Sequence, residues 1–282
     1  MLEVKNIYKS YGDKKILNDI SFTINEGEIV SLLGSNGCGK TTTFRIMAKL
    51  LQPDKGEILL NGRELSLSDI GYLPEERCLY YDCTARQQLK LIASLNNIDE
   101  HKIDDILKKL KIEQYGETVV SKLSKGNQQK VAVALCLIKQ PEVIIMDEPF
   151  TGLDIQNMAI FEDIIRFLKY ENKYIIVSSH IYQPVNSIAD RYIYVKNGQI
   201  LFNISRQQLK QDKRRIIHIE SEDEYFCEDI NIKQLDDNNV IVESDEEGRK
   251  LLAQIKKDKS IYGYSYSVLK IEDMVKLYEA TS

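Results

Sequence analysis

The sequence predicts an α/β fold in which a mostly parallel sheet is flanked by helices, followed by a small α+β appendix. Three observations carry this. Short apolar runs recur at residues 28–33, 57–61, 143–147, 174–178 and 192–196. Segments of helical period lie between them, and the texture of the chain changes after residue 204. Strands that are apolar on both faces need cover on both faces, and the helices that alternate with parallel strands supply it.

Taken in order, the run at 28–33 leads into a glycine-rich segment and a helical stretch at 42–51. Pro53, Asp54, Lys55 and Gly56 read as a turn ahead of the strand at 57–61. Within 102–111, Ile103, Ile106, Leu107 and Leu110 fall on one helical stripe, and Val131, Leu135 and Ile138 repeat that spacing. Asn197 and Gly198 are expected to close a hairpin at the end of a domain covering residues 1–204. Residues 205–214 are polar and basic and read as a linker. Strands at 216–220, 240–243 and 262–268, with helices at 246–257 and 271–280, then make residues 205–282 a minor accessory domain.

Composition narrows the classes of function. The 282 residues are 43% hydrophobic and 29% charged, a globular balance, with 38 Lys and Arg against 43 Asp and Glu. A net charge of −5 offers no basic surplus for a nucleic-acid partner. The first residues are charged from Glu3 onward, so a secretory signal is not expected. The longest apolar run, 131–138, is far short of the roughly 18–20 residues that span a bilayer. Any membrane part must therefore come from another chain. The five cysteines, Cys38, Cys78, Cys83, Cys136 and Cys227, lack CxxC spacing and read as free thiols in a reducing compartment.

The strongest motif is GxxxxGK[ST], matched by Gly34, Gly39, Lys40 and Thr41 between a strand and a helix. Glycines let successive backbone N–H groups turn toward phosphate oxygens, and the helix N-terminus adds partial positive charge. Lys40 is expected on the β and γ phosphates and the Thr41 hydroxyl on Mg²⁺. Gly34, Ser35, Asn36, Gly37, Cys38, Gly39, Lys40, Thr41 and Thr42 thus form the candidate cradle. Cys38 is a small filler there, and its place near a helix N-terminus makes it a candidate for alkylation with loss of nucleotide binding. Further on, an apolar strand ends in Asp147 and Glu148. Adjacent strand positions point to opposite faces, so the first, Asp147, can hold Mg²⁺ through water and the second, Glu148, can polarise an attacking water as general base.

Three neighbours extend the pattern: Pro149 to Asp154 directly after the carboxylates, the segment LSKGN at 123–127 ahead of a helix, and His180 after the strand at 174–178. On these residues the chain resembles the ABC ATPase family over roughly residues 2–204. The resemblance implies a P-loop ATPase fold with an antiparallel N-terminal sheet and a helical subdomain at about 76–140. It implies ATP and Mg²⁺ as cofactors and hydrolysis to ADP and phosphate. Tyr11 would stack on adenine, or is one surface tyrosine among sixteen. Ser124 and Gly126 would present a hydroxyl, an N–H and a helix end to the γ-phosphate of a second subunit, Asp154 would bridge the dimer, and His180 would orient the water.

Departures from the family pattern are informative. Lys125 and Asn127 differ from the usual LSGGQ, and Lys125 either adds charge near the phosphates or points to solvent. Glu75 stands where the family carries a Gln that senses the γ-phosphate; its carboxylate can ligate Mg²⁺ but adds negative charge. These features resemble the branch serving exporters of sodium, drugs or antimicrobial peptides. The expected partners are a second ATPase subunit, the same chain or a paralogue, and an integral permease docked on the segment between Glu75 and Leu123, with Tyr80 and Tyr81 as candidate contacts. The expected location is the cytoplasmic face of the cell membrane. A soluble ABC ATPase in translation or DNA repair, or a nucleotide-switched dimer with little turnover, are the competing readings. The accessory domain either contributes to dimer contact or regulation, or stabilises the main domain.

Overall fold

The computed structural model describes residues 1–76, 78–221, 233–236, 238–256 and 261–280. Cys227 lies outside them. The chain divides into two compact units, Met1–Asn203 and Ile204–Ser282.

The first unit begins with β1 (Leu2–Tyr11), β2 (Lys14–Ile24), β3 (Ile29–Leu33), α1 (Lys40–Met47), β4 (Lys55–Leu60), β5 (Arg63–Glu64) and β6 (Ile70–Leu73). Three helices follow, α2 (Ala85–Leu95), α3 (His101–Lys109) and α4 (Lys125–Leu137). Then come β7 (Val143–Met146), α5 (Ile155–Tyr170), β8 (Tyr174–Ser179), α6 (Tyr182–Ile188), β9 (Arg191–Lys196) and β10 (Gln199–Ser205). The central sheet has the order β10-β9-β3-β8-β7-β6, and its five strands from β9 to β6 run parallel. Every residue of β3, β7 and β8 is buried, which is why these strands read as unbroken apolar runs. Asn197 and Gly198, both at positive φ (50° and 74°), make the two-residue turn into β10.

A second sheet, β2-β1-β4-β5, is antiparallel and shares one core with the central sheet, joining Leu2, Val4, Ile20 and Ile58 to Val30, Leu32 and Ile145. The strand expected at 57–61 therefore belongs to this layer, not to the parallel one. Helix α4 differs from the amphipathic stripe expected of it: Val131, Ala132, Val133, Ala134, Cys136 and Leu137 are all buried, so neighbours enclose it nearly all round. Because parallel strands end together, the segments after β3, β6, β7 and β8 meet at one edge, where α/β folds place their ligands.

The second unit contains α7 (Arg206–Gln211), β11 (Arg215–Ser221), β12 (Lys233–Asp236), β13 (Asn239–Val242), α8 (Asp245–Ile255), β14 (Ile261–Val268) and α9 (Ile271–Ala280). Its sheet, β12-β13-β11-β14, is antiparallel and packs on α8 through Ile217, Ile219, Val240, Val242, Leu251 and Ile255. The segment expected to be a linker holds α7 instead. Ser205 caps that helix, Gln208 reaches back to complete the capping box, and Leu209 is buried, so local hydrogen bonds and one apolar anchor order a polar stretch.

Candidate functional site

The loop after β3 is built on three glycines at positive φ: Gly34 (155°), Gly37 (79°) and Gly39 (113°). Two of them also have no room for a side chain. A Cβ on Gly34 would strike the Val195 carbonyl, and one on Gly39 would lie 2.5 Å from Leu17 Cδ2. Lys40 opens α1 and is buried; its ammonium donates to the Gly34 carbonyl at 2.7 Å and the Ser35 carbonyl at 3.2 Å. Thr43 Oγ1 donates to the Gly39 carbonyl at 2.9 Å, which ties the first turn of the helix to the loop. Cys38 is only 5% exposed, and burial raises its thiol pKa, so the thiolate that the expected alkylation requires is shielded and disfavoured.

At the end of β7, Asp147 and Glu148 are both buried. Ser178, in β8, holds them together: its hydroxyl donates to Asp147 Oδ1 at 2.6 Å and accepts the Glu148 backbone N–H at 2.8 Å. Glu148 takes a left-handed φ of 47°, which turns its side chain away from the strand direction toward His180. Its Oε2 accepts the His180 backbone N–H at 3.2 Å and lies 2.8 Å from His180 Nδ1, while Oε1 sits 3.9 Å from Lys40 Nζ. Asp147 Oδ2 is buried without a hydrogen-bond partner.

A cleft of about 450 Å³ gathers Tyr11, Asn36, Gly37, Gly39, Lys40, Thr41, Thr42, Glu75, Glu148 and His180, with Lys14 and Ile16 completing its lining. Tyr11 is 51% exposed at the end of β1, and Glu75 is exposed just beyond β6. Ser124, Gly126 and Asp154 do not line this cleft. Ser124 caps α4, accepting the Asn127 N–H at 3.3 Å, and Asp154 caps α5, accepting the Asn157 N–H and its side-chain amide at 2.8 Å each. Gly126 packs against the Asn157 amide so closely that a Cβ there would collide with it. Hydrogen bonding to Asn157 holds the Asp154 carboxyl below its ordinary pKa. Ser178 and Asn157 are positioning residues that sequence reasoning passed over; a serine at a strand end and an asparagine three residues into a helix carry no pattern of their own.

With this geometry in place, the comparisons with known proteins are specific. The family model described as ABC transporter matches residues 17–151. An uncharacterised ABC transporter ATP-binding protein of Methanocaldococcus jannaschii is 44% identical over 70% of this chain and 75% of its own length. The ABC transporter ATP-binding protein NatA of Bacillus subtilis is 35% identical over 76% of this chain and 93% of its own. The lantibiotic transport ATP-binding protein SrtF of Streptococcus pyogenes is 34% identical over 71% and 89%. Among solved structures, an ATP-binding subunit of an ABC transporter superposes with a TM-score of 0.68 at 28% identity, covering 75% of this chain and 92% of that one. A dimeric bacterial ABC transporter cassette gives 0.66 at 26% identity, covering 73% and 98%. Similarity of this depth over so much of each relative's length places the chain in one family: it belongs to the ABC transporter ATP-binding proteins.

Proposed function

We propose that this chain is an ATP-hydrolysing subunit that closes with a second copy or a paralogue around Mg-ATP and powers an ABC exporter. Residues 1–204 form the ATPase domain and 205–282 an accessory domain. The observation that carries the reading is the Glu148 carboxylate, fixed by two groups of His180 and facing Lys40 in the cleft that the phosphate loop borders. A carboxylate so placed can take a proton from water beside a phosphate held by Lys40 and the loop amides, and His180 orients that carboxylate.

Tyr11 at the cleft mouth is the adenine platform. Magnesium fits the donor types present: Asp147, beside Glu148 in the chain, offers a buried oxygen with no hydrogen-bond partner, and Thr41 and Glu75 line the cleft. A magnesium ion there would be held by one or two carboxylates, phosphates and water. Bound there, the ion would neutralise phosphate charge. Ser124, Gly126 and Asp154 stand outside the Lys40 cleft and so are free to complete the cleft of a partner subunit. The dimeric cassette among the structural neighbours supports this arrangement.

No helix among the described residues is long and apolar enough to cross a membrane. In this reading an integral permease chain is the partner, and the subunit works at the cytoplasmic face. The lantibiotic transport protein among its relatives supports a transport role, and export is the direction proposed for this chain. The test is phosphate release from Mg-ATP by the purified chain, with light scattering alongside. Glu148→Gln should lower turnover by on the order of 10²–10⁴-fold and leave an ATP-dependent dimer. A variant that turns over normally, or stays monomeric with ATP, would overturn the reading.

A further inference from the structure

Away from the nucleotide cleft, a cavity of about 350 Å³ opens between the end of α3, the middle of α4 and the outer face of α5. That is within the size range of small-molecule pockets, about 300–1,000 Å³. Its floor is apolar, with Leu110, Leu137, Ile160, Ile164, Phe167 and Leu168. Ile160 and Phe167 are 41% and 46% exposed, so apolar surface faces the opening. Three lysines stand around this floor, and they are not equivalent. Lys109 is committed: its ammonium bonds both Glu171 carboxylate oxygens at 2.9 Å and sits 4.5 Å from the Phe167 ring centre. Lys111 and Lys130 form no ion pair or side-chain hydrogen bond among the described residues. Lys130 is held below its ordinary pKa by burial and then by the charge of Lys111. Asp163, the acidic residue of the lining, is exposed and pairs with neither lysine.

A lysine that merely covers apolar ground keeps its head in water. Here two unpaired lysines, one of them partly buried, line one cavity with no carboxylate among the described residues paired to either, over a floor with room for a ligand. From this we infer that the pocket binds a small amphiphilic carboxylate, a medium-chain fatty acid, with its head at Lys111 and Lys130 and its chain on the apolar floor. An anionic head relieves the repulsion, and the chain covers Ile160 and Phe167. Polyanions such as nucleotides gain nothing from the floor. Helices α4 and α5 start at Ser124 and Asp154, so an occupant would bear on both; that consequence rests on the proposed dimer, whereas binding itself does not.

The test is calorimetric titration of the full chain, without nucleotide, with sodium hexanoate, octanoate and decanoate below their micelle concentrations. One site should saturate, with affinity rising roughly fourfold per methylene, the equivalent of about 0.8 kcal/mol. Replacing both lysines (Lys111→Gln with Lys130→Gln) should weaken decanoate at least tenfold, while Lys130→Arg, which keeps the charge, should retain binding. Ile164→Asp should remove the dependence on chain length. Absence of saturable binding, decanol binding as tightly as decanoate, or affinity untouched by loss of the lysines would overturn the inference. Because nucleotide is absent, failure here leaves the ATPase reading standing, and phosphate release tests that separately.

Discussion

The Ser178 hydroxyl donates to Asp147 Oδ1 at 2.6 Å, and both groups are buried. The same oxygen accepts the Glu148 backbone N–H, so one hydroxyl ties the Asp147 carboxylate to the main chain that carries Glu148. Ser178→Ala should therefore cost more in turnover than in nucleotide binding. A hydrogen bond to a charged group contributes about 1.5–3 kcal/mol, which corresponds to a fall in kcat of roughly 10–100-fold if the geometry relaxes. Steady-state phosphate release and ATP affinity, measured on the same preparation, separate the two. A lowered melting temperature with unchanged kcat would show the hydroxyl to be structural only.

Gly126 and Asn157 link the two helix caps that stand outside the Lys40 cleft. The Asn157 amide is held by Asp154 Oδ2 at 2.8 Å and fills the space where a Cβ on Gly126 would go. Gly126→Ala must push that amide aside and release Asp154. Overpacking of this kind costs about 1–3 kcal/mol, so ATP-promoted dimerisation in a Glu148→Gln background should weaken roughly five- to hundredfold, with ATP binding by the monomer unchanged. Adding Asn157→Ala restores the space and should recover part of the loss. A double variant no better than the single one would contradict the steric account.

What was legible in the sequence followed from burial on both faces and from turn chemistry. The runs of β3, β7 and β8 and the glycines of the phosphate loop are dictated locally, and so were readable. The Asn197–Gly198 turn was readable for the same reason. The rest depends on long-range neighbours. Ser178 acquires its role only because β8 lies beside β7 in register, with Val177 opposite Met146. Helix α4 reads as amphipathic until α2 and the sheet close around it. Helix α7 looked like a linker because its stabilising groups are polar, a capping box being invisible to hydrophobic periodicity.

One ion pair contributes a definable share of the acid sensitivity. Arg63 donates to both oxygens of Asp69, at 2.6 and 3.0 Å, and this pairing lowers the Asp69 pKa from 3.8 to about 2. A folded-state pKa below the unfolded one means that the folded chain binds the proton less readily. The stabilisation is therefore complete above about pH 4 and is lost as pH falls toward 2. Denaturant midpoints should drop more steeply between pH 4 and 2 in the wild type than in Asp69→Asn, and the gap between them should be constant at higher pH. Parallel curves across the acid range would refute the assignment.

Glu75 lines the nucleotide cleft from an exposed position beyond β6, where its charge adds to that of Glu148. A unit charge about 4 Å from another costs on the order of 1 kcal/mol in water. Glu75→Gln should thus tighten ATP binding by about two- to fivefold at low salt, with the gain fading as ionic strength rises, because exposed charges are screened. Phosphate release should stay within about threefold of the wild type, since Glu148 and His180 are untouched. Loss of turnover in this variant would instead show that the carboxylate itself is required, and would move Glu75 from a tolerated neighbour of the phosphates to a necessary ligand.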